Sequence, residues 1–208
     1  FSPDWKGTHP QGVLEGFSGT VQLDGYGGLN PMFKGRGDLQ RVGCNDHCRR
    51  HFVQALRDGD KRAAPILEIY RRLYEVEAEA RARQFTPMER LKIRKERSQA
   101  LWHELGRAIE SIDGRVSKKS ALGKGVRYWD KQNAFLRAYL DDGFVPISNI
   151  HVERLIRTIE QYKPDLIHLH NVHGYYVNVE ILFRFLSAAD IPVVWTLHDC
   201  WAFTGHCA

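Results

Sequence analysis

Cysteine is scarce in this chain: four residues in 208, in two close pairs, Cys44/Cys48 and Cys200/Cys207. That number and spacing exclude an even disulfide framework, and no secretory signal is visible, so a reducing cytoplasm is the expected compartment. Long apolar runs are also lacking. The longest, Val177 to Leu197, is broken by Glu180, Arg184 and Asp190 and cannot span a bilayer. Neither an internal repeat nor a low-complexity tract is present, which excludes solenoids and disordered tails. The first residue is Phe1 and the last is Ala208, within a motif, so the chain reads as a fragment at both ends.

What is present is an uneven distribution of charge. Residues 151–208 carry four Lys/Arg and six Asp/Glu, a net of −2. That leaves 26 basic and 19 acidic groups before residue 151, a net of +7. A basic first part suits a polyanion partner, and solvated helical surfaces are the plainer reading of the same charge.

Local pattern divides the chain in two. Gly19-Thr20-Val21-Gln22-Leu23-Asp24 alternates like a short strand and runs into the turn Gly25-Tyr26-Gly27-Gly28. A helix is expected after Gly43, through Leu56. A second is expected over 63–85, where Ile66, Ile69, Tyr70, Leu73 and Val76 recur at helical steps. Thr86-Pro87-Met88-Glu89 is a capping box with Pro at the first helical position, and it predicts a helix to about Ile112, closed by Asp113-Gly114. Another is expected from Lys119 to Leu140. Beyond Lys163-Pro164 the runs Leu166–His170 and Pro192–Leu197 are nearly all apolar, as in parallel strands buried on both faces. With helical periodicity between them they form one βαβ unit.

Cys44, His47, Cys48 and His51, at helical spacing, fall on one face, and one straight helix wraps four ligands around a metal poorly. Packing through Cys48, Phe52 and Leu56 is the structural alternative. Cys200, Cys207, His198 and His206 could form a zinc knuckle or ordinary loop, and His168 and His170 read as core histidines on a strand.

Residues 1–157 resemble the insertion-sequence-66 type of transposase, with an RNase H-like core of the DDE kind. The match runs through Phe1–Gly7, Gly16–Gly19, Gln22–Tyr26, Cys44–Phe52, Glu89-Arg90-Leu91, Arg94–Ser98, Lys119–Lys124, Leu140–Gly143 and Val152-Glu153-Arg154. The resemblance implies that Asp24 and Glu153 are two of three catalytic carboxylates holding paired Mg²⁺ ions for strand transfer. It also implies that His47, Arg49 and Arg50 face DNA at transposon ends, and that 60–140 is a helical insertion. Such chemistry needs metal-activated and metal-stabilised oxygens, with the ions about 3.5–4 Å apart. The family's first Asp lies upstream of the position matching Phe1. Around Glu153 the family's Asp-Asn-Asn is replaced by Ser148-Asn149-Ile150, and its later Gly-Arg-Lys-Asn segment is absent. An inactive strand-transfer site is therefore expected.

From about Leu155, the stretches Lys163–Tyr176 and Val194–Cys207 resemble the first domain of a family-4 glycosyltransferase of GT-B fold. The resemblance implies a Rossmann-like βαβ fragment over 158–208, with His173, Gly174, His198 and Asp199 facing a sugar acceptor. Its nucleotide-sugar donor domain has no counterpart here. The chain thus reads as two unrelated proteins joined within one helix, around Ile150 to Gln161. A transposase fragment covers most of the chain and accounts for its charge, so it is the expectation, with a glycosyltransferase fragment or a non-functional chimera as the alternatives.

Overall fold

The computed structural model describes residues 16–25, 27–170 and 179–196, with the backbone alone at several of them, including 151–154. The class is α/β, mostly helical with two small parallel sheets. The chain packs as two units, Phe1–Ser148 and Asn149–Ala208.

In the first unit, strand β1 (Gly19–Leu23) pairs in parallel with β2 (Leu39–Gly43), from Gly19↔Leu39 to Leu23↔Gly43. A 3-10 segment, Gly27–Phe33, fills the connection. Helix α1 (Asn45–Arg57) follows directly, and α2 (Ala63–Ala82) packs against it. Helix α3 (Pro87–Ile93) begins at the expected capping box: the Thr86 hydroxyl accepts from the Glu89 N–H, and the Glu89 carboxylate accepts from the Thr86 N–H at 2.8 Å. It passes through a π turn, Arg94–Ser98, into α4 (Gln99–Glu110). Gly114 then adopts φ +71°, as a chain reversal after a helix favours. Helix α5 (Ala121–Arg137), capped by Ser120, ends in a 3-10 turn, Ala138–Asp141.

The helices over 60–140 share their core with the sheet and α1. Val42 of β2 and Cys48 and Phe52 of α1 share one buried core with Leu73, Leu105 and Leu136. Trp102 and Trp129 meet in it with ring centroids 4.8 Å apart. Helix α1 buries Cys48 and Phe52 as expected, but its next inward residue is Ala55, and Leu56 is exposed. The reason is rotation: Leu56 lies four residues beyond Phe52, and Ala55, three beyond it, sits closer to the line of contact.

The π turn serves a buried ion pair. One extra residue in the turn leaves both Ile93 and Arg94 facing inward. Arg94 is fully buried and donates to both carboxylate oxygens of Glu77 at 2.7 Å. Its remaining guanidinium nitrogen donates to the carbonyls of Tyr139 and Asp142, each at 2.7 Å. One side chain thus pairs a buried charge and satisfies the chain after α5. Gly143 follows, so close to α3 that a Cβ there would sit 1.8 Å from the Pro87 carbonyl oxygen.

The segment after Gly143 returns to the sheet. Gln22 donates to the Pro146 carbonyl at 2.9 Å, and the buried Asn45 side chain donates to the Leu136 carbonyl at 2.9 Å. The Asn45 backbone N–H takes the Ile147 carbonyl.

In the second unit, α6 (Ile150–Tyr162) stops at Lys163, which has φ +48°, ahead of Pro164. Strand β3 (Ile167–His170), helix α7 (Val179–Ala188) and strand β4 (Val193–Thr196) follow, the strands pairing in parallel from Ile167↔Val193 to His170↔Thr196. Ile159, Ile167, Leu169, Leu182 and Leu186 form the core. Burial on both faces is not observed. Leu166 is 53% exposed and Val194 47%, on the side of the sheet opposite Ile167 and Leu169, because the helices pack on one face of a two-stranded sheet. His168 is exposed rather than a core histidine.

Candidate functional site

Asp24 leaves the end of β1 with its side chain exposed. The turn that carries it is fixed from α5. The Tyr128 hydroxyl donates to the Asp24 carbonyl, and Gln132 donates to the Gly25 carbonyl at 3.5 Å. Gly25 has φ +88°, and a Cβ on it would lie 2.7 Å from the Tyr128 hydroxyl oxygen, so glycine is required twice over. Arg41 of β2 stands nearby: it donates to Gln132 at 3.0 Å and lies over the Phe135 ring at 4.2 Å. Burial pulls its pKa down, while Tyr128 and Asp24 act the other way. Arg41, Tyr128 and Gln132 carried no signal in the sequence, since their partners lie some hundred residues away in the chain. Only Gly25 hinted at the close approach.

Helix α1 presents its cations on two different faces. Asn45, Cys48, Phe52 and Ala55 point inward. Arg49 turns toward α2, paired with Asp46 at 3.6 Å and 6.0 Å from the Tyr74 ring. His47, Arg50 and His51 lie toward α5. There the His51 ring meets Tyr128, with centroids 5.2 Å apart. A Cβ on Gly125 would lie 3.2 Å from the His51 Cβ and 3.0 Å from the Phe52 ring, which shows how tightly the two helices cross. Burial lowers the His51 pKa first, and the neighbouring charges of Lys124, Arg50 and His47 lower it further. The structure therefore brings His47 and Arg50 together and sets Arg49 apart.

Cys44 precedes α1 with an extended backbone, at the N-cap, rather than lying on the helix. Cys48 is buried, and burial pushes its thiol up to about 12, as for an inert core cysteine. Among the described residues no three His, Cys, Asp or Glu side chains cluster as metal ligands do.

Glu153 lies in the first turns of α6, in the second unit, and its side chain is outside the described residues. His173, Gly174, His198 and Asp199 also lie outside them, as do Cys200, His206 and Cys207. Their flanking strands β3 and β4 are parallel, so 171 and 197 both follow carboxyl ends of strands.

Asp24 thus stands at a strand exit, in a turn whose backbone is braced by α5, with Arg41 nearby. The chain belongs to the IS66 transposase family, whose family model matches residues 1–164. A second family, Glycosyltransferase Family 4, matches residues 131–207, so the two overlap across α6. The uncharacterized protein y4jD of Sinorhizobium fredii (strain NBRC 101917 / NGR234) is 27% identical over 192 residues, covering 82% of this chain and 37% of its own. The uncharacterized protein y4qI of the same strain is 33% identical over 151 residues, covering 69% and 28%. A putative colanic acid biosynthesis glycosyl transferase, WcaC of Escherichia coli (strain K12), is 40% identical over 60 residues, covering 26% of this chain and 15% of its own. The chain spans 37% or less of the length of these relatives. No solved structure matches. The chain is a chimera of a transposase-family segment and a glycosyltransferase-family segment.

Proposed function

We propose that residues 1–157 derive from a DDE transposase with a partial RNase H-like core, and that the first unit binds duplex DNA in the cytoplasm without catalysing strand transfer. The observation that carries this is the Asp24 turn braced by Tyr128, whose ring also meets His51 on the cationic face of α1. Arg49 would reach phosphate only after leaving Asp46.

The donor chemistry at Asp24 fits Mg²⁺. Its carboxylate is a hard oxygen donor, and the two backbone carbonyls of the turn are already engaged by Tyr128 and Gln132. In the family reading Asp24 and Glu153 are metal ligands, and the metal would supply Lewis-acid stabilisation of the phosphodiester oxygens. Ser148-Asn149-Ile150 replaces the family's acidic lead-in to Glu153. Loss of that neighbouring acid weakens the surroundings of the ligand and motivates the inactive reading.

Fluorescence anisotropy with labelled duplex DNA tests binding. Affinity is expected to fall steeply with salt, as counterion release requires, and Arg50→Gln is expected to weaken it several-fold. Salt-independent binding would refute the electrostatic reading. Mg²⁺-dependent joining of transposon-end DNA by these 208 residues would refute the inactive site.

The match over residues 131–207 and the β3–α7–β4 unit favour a second reading for the tail. It is the Rossmann-like start of a glycosyltransferase that once used a nucleotide-sugar donor. In that reading His173, Gly174, His198 and Asp199 face the sugar acceptor. Sugar-nucleotide hydrolysis or transfer by this chain would establish activity for it.

A further inference from the structure

The cations of α1 that face Tyr128 do not stand alone. The crossing at Gly125 is close enough for the first turns of α5 to reach His51, and Lys124 is the exposed residue next to that crossing. Arg127 and Lys131 continue the exposed row along α5 at helical spacing. On the α1 side the same patch holds His47, Arg50 and His51. Tyr128 connects this patch to the Asp24 turn, with its ring against His51 and its hydroxyl on the Asp24 carbonyl.

The geometry points to a phosphate-binding patch built by two helices, in which Lys124 of α5 joins His47, Arg50 and His51 of α1 to hold the nucleic-acid backbone beside the Asp24 turn. This rests on the reading of the first unit as a DNA-binding element. It extends that reading to a helix from the expected insertion and to two residues, His51 and Lys124, to which the sequence assigned no DNA contact. Three features favour a phosphodiester over a protein carboxylate as the ligand. The patch is cationic on both helices. It runs along two crossing helices. And it adjoins Asp24, an exposed carboxylate that the family's chemistry would direct at a phosphodiester. Phosphate contacts of this kind set register and orientation and carry no base preference.

The test uses the 208-residue protein and a labelled duplex of random sequence, with anisotropy measured across a salt series. Lys124→Gln is expected to weaken binding about 3- to 10-fold and to lower the salt slope by about one ion, as loss of one phosphate contact does. Lys124→Arg is expected to restore both. Lys95→Gln removes an exposed charge from the π turn and is expected to change affinity less than about twofold. Circular dichroism confirms that each variant is folded. Lys124→Gln matching Lys95→Gln overturns the patch. If Arg50→Gln still weakens binding in that case, α1 alone carries the DNA and the broader reading survives. If Arg50→Gln is also silent, both readings fall.

Discussion

Replacing Arg94 with methionine should be the most damaging single change in the first unit. The substitution keeps a shorter, unbranched apolar stem but removes the charge and all four hydrogen bonds to Glu77, Tyr139 and Asp142. Glu77 is only 8% exposed and would be left without its partner. Breaking a buried pair from one side costs about 3–5 kcal/mol. The orphaned carbonyls of Tyr139 and Asp142 add to that, since each lost bond to a charged donor costs roughly 1.5–3 kcal/mol before relaxation. Together these come to about 6–11 kcal/mol before relaxation, and even the lower end is a large share of the roughly 5–15 kcal/mol that holds a domain together. Urea unfolding followed by tryptophan fluorescence reads this out, because Trp102 and Trp129 sit in the same core. The double variant Glu77→Leu/Arg94→Met separates the contributions. It should recover the ion-pair part and not the carbonyl part, returning about half of the loss. A single variant losing less than about 1 kcal/mol would refute the clamp. Full recovery in the double variant would show that the carbonyl bonds contribute nothing.

Gly143→Ala should lower stability by about 2–3 kcal/mol, through overpacking against the Pro87 carbonyl, and a melting temperature equal to wild type would contradict the close approach. His51 has a lowered pKa, so the folded state binds its proton less readily than the unfolded chain. Its contribution to stability is therefore full above pH 6.5, the ordinary value, and is lost as pH falls through that value toward the lowered one. DNA phosphate should reverse the preference, so affinity for duplex is expected to rise as pH drops below 6.5, and His51→Gln should flatten the rise. In the second unit, amides of Ile167–His170 and Val193–Thr196 are expected to exchange faster than those of α2 and α5. Slow exchange there would show that the exposed face carrying Val194 is covered in solution.

Much of the helical layout was legible because helix signals are local. The Thr86-Pro87-Met88-Glu89 box predicts its own two bonds, and the Ile66 to Val76 spacing names the face that is buried. Strand β2 was not legible. Leu39-Gln40-Arg41-Val42-Gly43 has no clean alternation, since Val42 and Gly43 are both buried, Gly43 because Leu136 passes within 3.1 Å of where its Cβ would lie. The π turn was hidden too, for Arg94 reads as surface charge until Glu77, a helix away, supplies its partner. At the site, Asp24 and Gly25 stood out, while Arg41, Tyr128 and Gln132 became visible only when the fold brought them together. Arg49 and Arg50 look equivalent in sequence, and one step of helical rotation sends them to opposite neighbours.

The two family matches overlap over residues 131–164, which include the helix Ile150–Tyr162, and a helix is an element in which a chain can change ancestry without losing its backbone. Each N–H in an α-helix bonds a carbonyl only four residues back, so the ladder has no memory of what lies beyond the neighbouring turn. A crossover inside a strand would strand a whole row of partners on another segment. A crossover inside a helix alters the side chains on one cylinder and leaves every rung in place. What must then agree is the phase of a single apolar stripe, and Leu155 and Ile159 supply it against α7 and β3. Splicing at such a place demands one compatible face, whereas the catalytic sites on either side demand whole domains.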